Sequence, residues 1–267
     1  TGFVEVQALE IRLVGKQVQF MITCLCDTFY DNVAKASVEL LEHLGCIVVV
    51  LDAQTCCGQP AFNAGDWEAT RKVIRHTMQA FKGDQPIIIP SGSCAHMVHH
   101  GYQLVFENGT EAEKKAAHAL ANRTWEICDF VVNGLGIQTW PGRFDGKISL
   151  HRSCHTRGSD TCSAALQLLR SIEGMEILEF DESEQCCGFG GTFSVAYPNT
   201  SAAMGTLKID KLTAVKPDLI GAVDMACMLH LSGLAERQKR PFRKLHVVEI
   251  LMQALHNAKA PQPSCLT

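Results

Sequence analysis

The sequence predicts an α/β fold of two pseudo-symmetric halves, each a small, mainly parallel sheet flanked by helices. Strand-like and helix-like segments alternate along the chain, which is the order of βαβ units. One cysteine pattern also occurs twice, about 130 residues apart, and such a repeat indicates two copies of one structural unit. At 267 residues the chain is long enough to form both copies with a proper core.

In the first half, three stretches favour strands and two favour helices. Residues typical of strands, alternating or in continuous runs, predict strands at 18–23, 46–51 and 86–90. Apolar residues at helical spacing predict helices at 31–44 and about 66–81. The stretch 97–136 is predicted to be helical, with breaks at Asn108-Gly109 and near Arg123.

The second half restarts this succession after Pro141-Gly142, the predicted domain boundary. Its strands are expected at 147–150, 176–180 and 218–221. Its helices are expected near 164–172, at about 199–215 and from Met228, with a last strand and helix over 244–258. The predicted domains are therefore a first half (18–140) and a second half (141–258), between terminal extensions (1–17 and 259–267).

Eight of the thirteen cysteines form the repeated pattern. In each copy one cysteine lies 32 residues before a Cys-Cys-Gly triplet, and a fourth follows the pair by 37 or 40 residues. The copies are Cys24, Cys56, Cys57 and Cys94, and then Cys154, Cys186, Cys187 and Cys227. Each set follows the carboxyl ends of predicted parallel strands, where ligands bind in open α/β sheets. We therefore expect a metal site at this edge of each half.

Adjacent cysteines favour a metal cluster over a single metal ion. A structural zinc usually takes two cysteines separated by two to four residues, whereas neighbouring thiolates can reach different irons of a cluster. The glycine after each pair lets backbone N–H groups approach the cluster sulfurs. Zinc in one or both sites remains an alternative because each copy supplies four thiolates. That alternative would make the protein a structural scaffold.

Composition excludes several partners. A net charge of −4 and a pI near 6.2 provide no basic face for nucleic acid. No apolar run approaches the roughly 20 residues of a membrane span. The first 17 residues lack the apolar core of a signal peptide, so the cysteines are interpreted as thiols in a reducing cytoplasm.

The motifs resemble a known family. Cys56-Cys57-Gly58-Gln59-Pro60 and the string from Cys186 to Ser194 (CCGFGGTFS) are similar to the duplicated CCG, or cysteine-rich, domain. That domain occurs in heterodisulfide reductase and in the iron–sulfur component of glycolate oxidase. The strongest resemblance is to the lactate utilisation protein A branch, and it extends over almost the whole chain, from Val18 to about Ala258.

This resemblance implies an oxidoreductase subunit that takes part in oxidation of L-lactate to pyruvate. It implies two [4Fe–4S] clusters held by the eight patterned cysteines. It also implies two partners, a ferredoxin-like iron–sulfur subunit and a third small subunit. Glycolate or a heterodisulfide would be the alternative substrate.

One departure from the family leaves the cluster type open. The family motif ends in C-x-x-C, whereas the first of these positions is Ser91 in one copy and Asp224 in the other. Four thiolates suffice for an ordinary cubane, and an oxygen of Ser91 or Asp224 could instead ligate an open, noncubane cluster. Asp224 and His155 are the candidate catalytic residues, since an accessible iron near them could polarise a small 2-hydroxy acid.

Overall fold

The computed structural model of the chain describes residues 15–259, which contain two four-stranded sheets. The first sheet consists of β1 (Lys16–Phe20), β2 (Cys46–Val50), β3 (Ile87–Ile89) and β4 (Thr124–Glu126). The second consists of β5 (Arg143–His151), β6 (Glu173–Ile177), β7 (Leu219–Ala222) and β8 (Lys244–His246). All neighbours are parallel, and the orders β2-β1-β3-β4 and β6-β5-β7-β8 are equivalent. The predicted fold class is confirmed.

Helices connect the strands of the first half. They are α1 (Cys24–Phe29), α2 (Asp31–His43), α3 (Gln59–Asn63), α4 (Trp67–Ala80), α5 (Gly92–His96), α6 (Tyr102–Val105), α7 (Glu111–Ala121) and α8 (Ile127–Asp129). Wider π-helical turns occupy Met97–Gly101 and Phe130–Gly134. The start of α4 is set by the Asp66 side chain, which accepts a hydrogen bond from the N–H of Ala69.

The second half contains a similar set of helices. They are α9 (Thr161–Arg170), α10 (Thr192–Ala196), α11 (Pro198–Ala214), α12 (Met225–Arg237) and α13 (Val247–Lys259), with a single 3₁₀ turn at Cys154–Thr156. Most of both terminal extensions, residues 1–14 and 260–267, lies outside the described residues.

Three details of the predicted elements were wrong. The strand predicted at 176–180 lies three residues earlier, at Glu173–Ile177. The stretch 97–136 is not helical throughout, because β4 occupies Thr124–Glu126 and pairs with β3. Three residues are too few to show a periodicity, so this strand is specified by pairing with its neighbour. The helix predicted from Met228 also begins earlier, at Met225, so Cys227 lies in the first turn of α12, as Cys94 does in α5. These helices begin directly after an extended residue, Ser91 or Asp224.

The two halves pack against each other. One cluster of buried apolar residues includes Phe20 and Leu40 of the first half and Ile220 and Leu251 of the second. Burial of each such side chain contributes roughly 1.5–3 kcal/mol. The ends of the sheets also meet, because the N–H of Gly92 donates to the Val223 carbonyl at 3.1 Å. This contact brings the two cysteine sets to the same place.

Candidate metal centre

Both cysteine sets open into one cavity of about 180 Å³. In each half one cysteine follows the first strand, the adjacent pair follows the second, and the last follows the third. The cavity thus lies where strand order reverses, the usual binding position in such sheets. We call the sets the first and second quartets: Cys24, Cys56, Cys57, Cys94; and Cys154, Cys186, Cys187, Cys227.

Within the first quartet the thiols approach in pairs. Cys24 Sγ lies 3.6 Å from Cys56 Sγ, and Cys57 Sγ lies 3.3 Å from Cys94 Sγ. The N–H of Gly58 donates to Cys56 Sγ at 3.5 Å. Cys24 is exposed whereas Cys57 and Cys94 are buried, so the quartet extends from the surface into the interior.

The second quartet repeats this arrangement. Cys154 Sγ lies 3.8 Å from Cys186 Sγ, and Cys187 Sγ lies 3.0 Å from Cys227 Sγ. Backbone N–H groups donate to both sulfurs of the adjacent pair, from Gly188 to Cys186 at 3.4 Å and from Phe189 to Cys187 at 3.5 Å. The soft donor set and these N–H···S contacts suit an iron–sulfur cluster or zinc.

Glycine is required directly after each pair. Gly58 and Gly188 have φ of +91° and +85°, a region that side-chain-bearing residues rarely adopt. At Gly188 a Cβ would also lie 2.7 Å from the Ser201 carbonyl oxygen, whereas at Gly58 the nearest atom is a Val73 methyl at 3.4 Å. The turn after the second pair is therefore the more tightly enclosed.

Each quartet already favours one thiolate. The Cys24 and Cys57 thiols, with the N–H of Gly58, lower the pKa of Cys56 well below its usual range. In the second quartet the equivalent hydrogen bonds lower the pKa of Cys186 in the same way. Hydrogen bonding to their neighbours and burial raise the pKa of Cys57 and Cys187 well above the usual range. A bound metal would have to displace the protons of these buried thiols.

A family profile matches both halves. The cysteine-rich domain CCG matches residues 18–99 and 148–232, and each matched segment contains one quartet. The chain belongs to the CCG cysteine-rich domain family. Among the described residues of this CCG protein, no helix is both long and apolar enough to cross a membrane.

Curated relatives match nearly the whole chain. It is 39% identical to "Lactate utilization protein A 1" of Bacillus anthracis (strain CDC 684 / NRRL 3495), over 90% of this chain and 99% of that protein. It is also 39% identical to "Lactate utilization protein A" of Geobacillus sp. (strain WCH70), over 88% and 98%. A solved structure, a hypothetical protein from Helicobacter pylori, is similar with a TM-score of 0.64 at 11% identity. The match covers 95% of this chain and 54% of the Helicobacter pylori chain, and the similarity concerns the fold alone.

Ser91 and Asp224 both line the cavity between the CCG quartets, but they are held differently. Ser91 Oγ caps its own helix by accepting from the N–H of Cys94 at 3.3 Å. Asp224 reaches across to the other half, where its Oδ2 accepts from the N–H of Ser93 at 2.9 Å. Its Oδ1 has no hydrogen-bond partner, and burial raises the pKa of the carboxyl group. Asp224 thus has one oxygen available to a ligand.

His155 lies beside the second CCG quartet. Its Nδ1 is 3.5 Å from Cys154 Sγ, and its ring packs edge-on against His96 with centroids 5.1 Å apart. Burial, reinforced by His155 and two further histidines, lowers the pKa of His96 to about 4. His96 is therefore neutral near pH 7.

Two residues near the second CCG quartet were not among the sequence candidates. His151, at the end of β5, is fully buried, and its ring lies close to Cys187 and Cys227. Lys208 on α11 is fully buried as well, and its Nζ donates to the Ser183 carbonyl at 2.6 Å. Aligning the two copies could have found His151, because a methionine, Met21, occupies the matching position of the first half.

Proposed function

We propose that this chain is an iron–sulfur oxidoreductase subunit that handles electrons during oxidation of L-lactate to pyruvate. The observation that carries the proposal is the convergence of two CCG quartets on one cavity. The lactate assignment is supported by the relatives named lactate utilization protein A, which align over about 90% of this chain.

We assign the eight quartet cysteines as ligands of up to two [4Fe–4S] clusters. Such a cluster, when bound, supplies one-electron transfer at a potential that depends on its charge, its hydrogen bonds and its solvent access. The protein contributes the N–H groups of Gly58, Gly188 and Phe189, which already point at ligand sulfurs. It also buries half of each quartet, which limits contact with water.

Asp224 and His155 are the residues we propose to contact a 2-hydroxy acid. Both line the cavity, together with cysteines of the two quartets. A carboxyl group with a raised pKa can donate a hydrogen bond, and an imidazole can accept a proton. These two side chains would orient the substrate and move its proton.

The proposed partners are a ferredoxin-like iron–sulfur subunit and a third small subunit. The chain has no C-x₂-C-x₂-C-x₃-C run of its own, so electrons would enter or leave through such a partner. We propose that the complex works in the cytoplasm, because thiol ligation requires reduced cysteines.

The test is metal and sulfide analysis of protein purified without air, with visible and EPR spectra. We expect about eight irons and eight labile sulfides per chain, and lactate-dependent reduction once both partners are added. Cys46→Ser, a buried cysteine outside the quartets, is the matched control and should retain the full content. Spectra that respond to glycolate and not to lactate would show that the substrate is glycolate.

Zinc is the second candidate, and the sulfur positions provide its support. Two thiolates on one zinc ion lie about 3.8 Å apart. The Cys24–Cys56 and Cys154–Cys186 pairs are close to this, at 3.6 Å and 3.8 Å. A colourless protein with zinc in both sites and no sulfide would contradict the electron-transfer proposal. The protein would then be a structural scaffold.

A further inference from the structure

His151 is a buried polar side chain without a partner. It is the last residue of β5, and its exposed fraction is 0%. Neither Nδ1 nor Nε2 makes a hydrogen bond. Buried polar groups are nearly always satisfied, so an orphaned imidazole next to a ligand set indicates a missing bonding partner.

The surroundings of His151 identify the kind of partner. A ring nitrogen of His151, Cys187 Sγ and Cys227 Sγ all lie within 4.8 Å of one another. The ring makes no hydrogen bond to either sulfur. A metal atom bonded to an imidazole nitrogen at about 2.0–2.1 Å and to thiolates at about 2.3 Å would bring these three atoms together.

Among the described residues, the first-half position that matches His151 carries no nitrogen donor. His151 lies three residues before Cys154, and the residue three before Cys24 is Met21. Met21 is also buried, at 1% exposure, but its thioether is a weaker ligand than an imidazole for iron or zinc. The two sites therefore share their thiols and differ in this one donor.

We propose that His151 ligates the second-half cluster through a ring nitrogen, beside Cys187 and Cys227. The inference rests on the proposed function, which supplies the cluster. The buried ammonium group of Lys208, which interacts electrostatically with Cys187 and Cys227, raises the reduction potential of this cluster relative to the first. The second-half cluster is then the stronger electron acceptor of the two.

The test is pulsed EPR of the full chain labelled with [¹⁵N]histidine and purified without air, in its oxidised and reduced states. We expect a strongly coupled histidine nitrogen in the wild type. His151→Met, which places the first-half residue in the second half, should lose this coupling. Its iron and sulfide content should be unchanged if the four thiolates suffice for assembly.

Two variants serve as controls. Met21→Leu changes the matching buried position of the first half and should keep the nitrogen coupling. His155→Gln removes the imidazole beside Cys154 and should also keep it, because that nitrogen is placed for a hydrogen bond to sulfur.

The outcomes separate the two proposals. Full iron and sulfide with only weak nitrogen couplings, as from N–H···S hydrogen bonds, would overturn the role of His151 and leave the proposed function intact. Protein without iron and sulfide would overturn both. If His151→Met fails to assemble, the labelled wild type with its two controls decides the question by itself.

Discussion

The two halves share a sheet order and a thiol pattern but differ in what surrounds the thiols. Met21 packs with cysteines of the first quartet, whereas the matching position of the second half is His151, and the second quartet also has Lys208 nearby. All three side chains are buried. The duplicated scaffold thus preserves ligand geometry, and the residues outside the repeat set the charge and donor type of each site.

The largest expected effect is the loss of metal when one of the two sites is disrupted, which tests whether the sites assemble independently. Cys57→Ser and Cys187→Ser each remove one buried donor from one quartet. We expect each variant to lose about half of the iron and labile sulfide, from about eight to about four of each per chain, because the quartets share no cysteine. Metal analysis checks this, and the double variant should contain neither iron nor sulfide. Loss of all iron in either single variant would show instead that the cavity holds one shared cluster.

The fourth strands of the two sheets, β4 and β8, end in Glu126 and His246. These residues have the same structural role, but their pKa values are shifted in opposite directions. Glu126 Oε2 accepts from the N–H of Cys128 at 2.7 Å, and His246 Nδ1 accepts from the N–H of Val248 at 3.2 Å. Burial raises the pKa of Glu126 to about 8 and lowers that of His246 to about 4. Both side chains are therefore favoured in their neutral forms.

These shifts predict opposite slopes of stability with pH. Folded Glu126 holds its proton where the unfolded chain has lost it, so its contribution falls as pH rises from about 4.5 to about 8. Folded His246 binds no proton where the unfolded chain does, so its contribution rises from about pH 4 to about 6.5. We expect Glu126→Gln to flatten the fall and His246→Asn to flatten the rise, by up to a few kcal/mol in total. Urea unfolding at several pH values measures this, and parallel pH profiles for the wild type and both variants would contradict it.

The glycines after the two pairs should differ in their tolerance of a side chain. Gly58→Ala forces a positive φ on alanine at a cost of about 1–2 kcal/mol. Gly188→Ala adds a close contact with the Ser201 carbonyl, so we expect it to cost about 1–3 kcal/mol more. Thermal or urea unfolding of the two variants side by side is the measurement. Equal losses would show that the second turn relaxes without strain.

Substitutions of Ser91 and Asp224 should give the smallest difference in the free energy of unfolding. Ser91→Ala removes a helix cap, which costs about 1 kcal/mol. Asp224→Ala leaves the buried N–H of Ser93 without its acceptor and should cost about 1–3 kcal/mol, while Asp224→Asn keeps an acceptor and should cost less. Unfolding gives the stabilities, and lactate oxidation in the reconstituted complex gives the function. Full activity of a folded Asp224→Ala protein would exclude Asp224 as a substrate contact.

Most of the strands and long helices could be predicted because their patterns are local. The run from Cys46 to Val50 is a strand by composition alone, and α2 and α4 follow apolar spacing to within one residue of the prediction. β4 was missed because it has three residues and is specified by pairing with β3. The sequence also predicted that each cysteine of the pattern follows a strand, because both the strand ends and the cysteine positions can be identified from local sequence.

By itself, the sequence determined the α/β class, the duplication and the eight thiols that follow the strands, because these depend on residues near one another along the chain. Only the tertiary structure decided that both quartets face one cavity and that Asp224 reaches across to Ser93. It also placed His151 unpartnered beside Cys187 and Cys227. These contacts join residues far apart in sequence, and they form only when the two sheets pack and exclude water from between them.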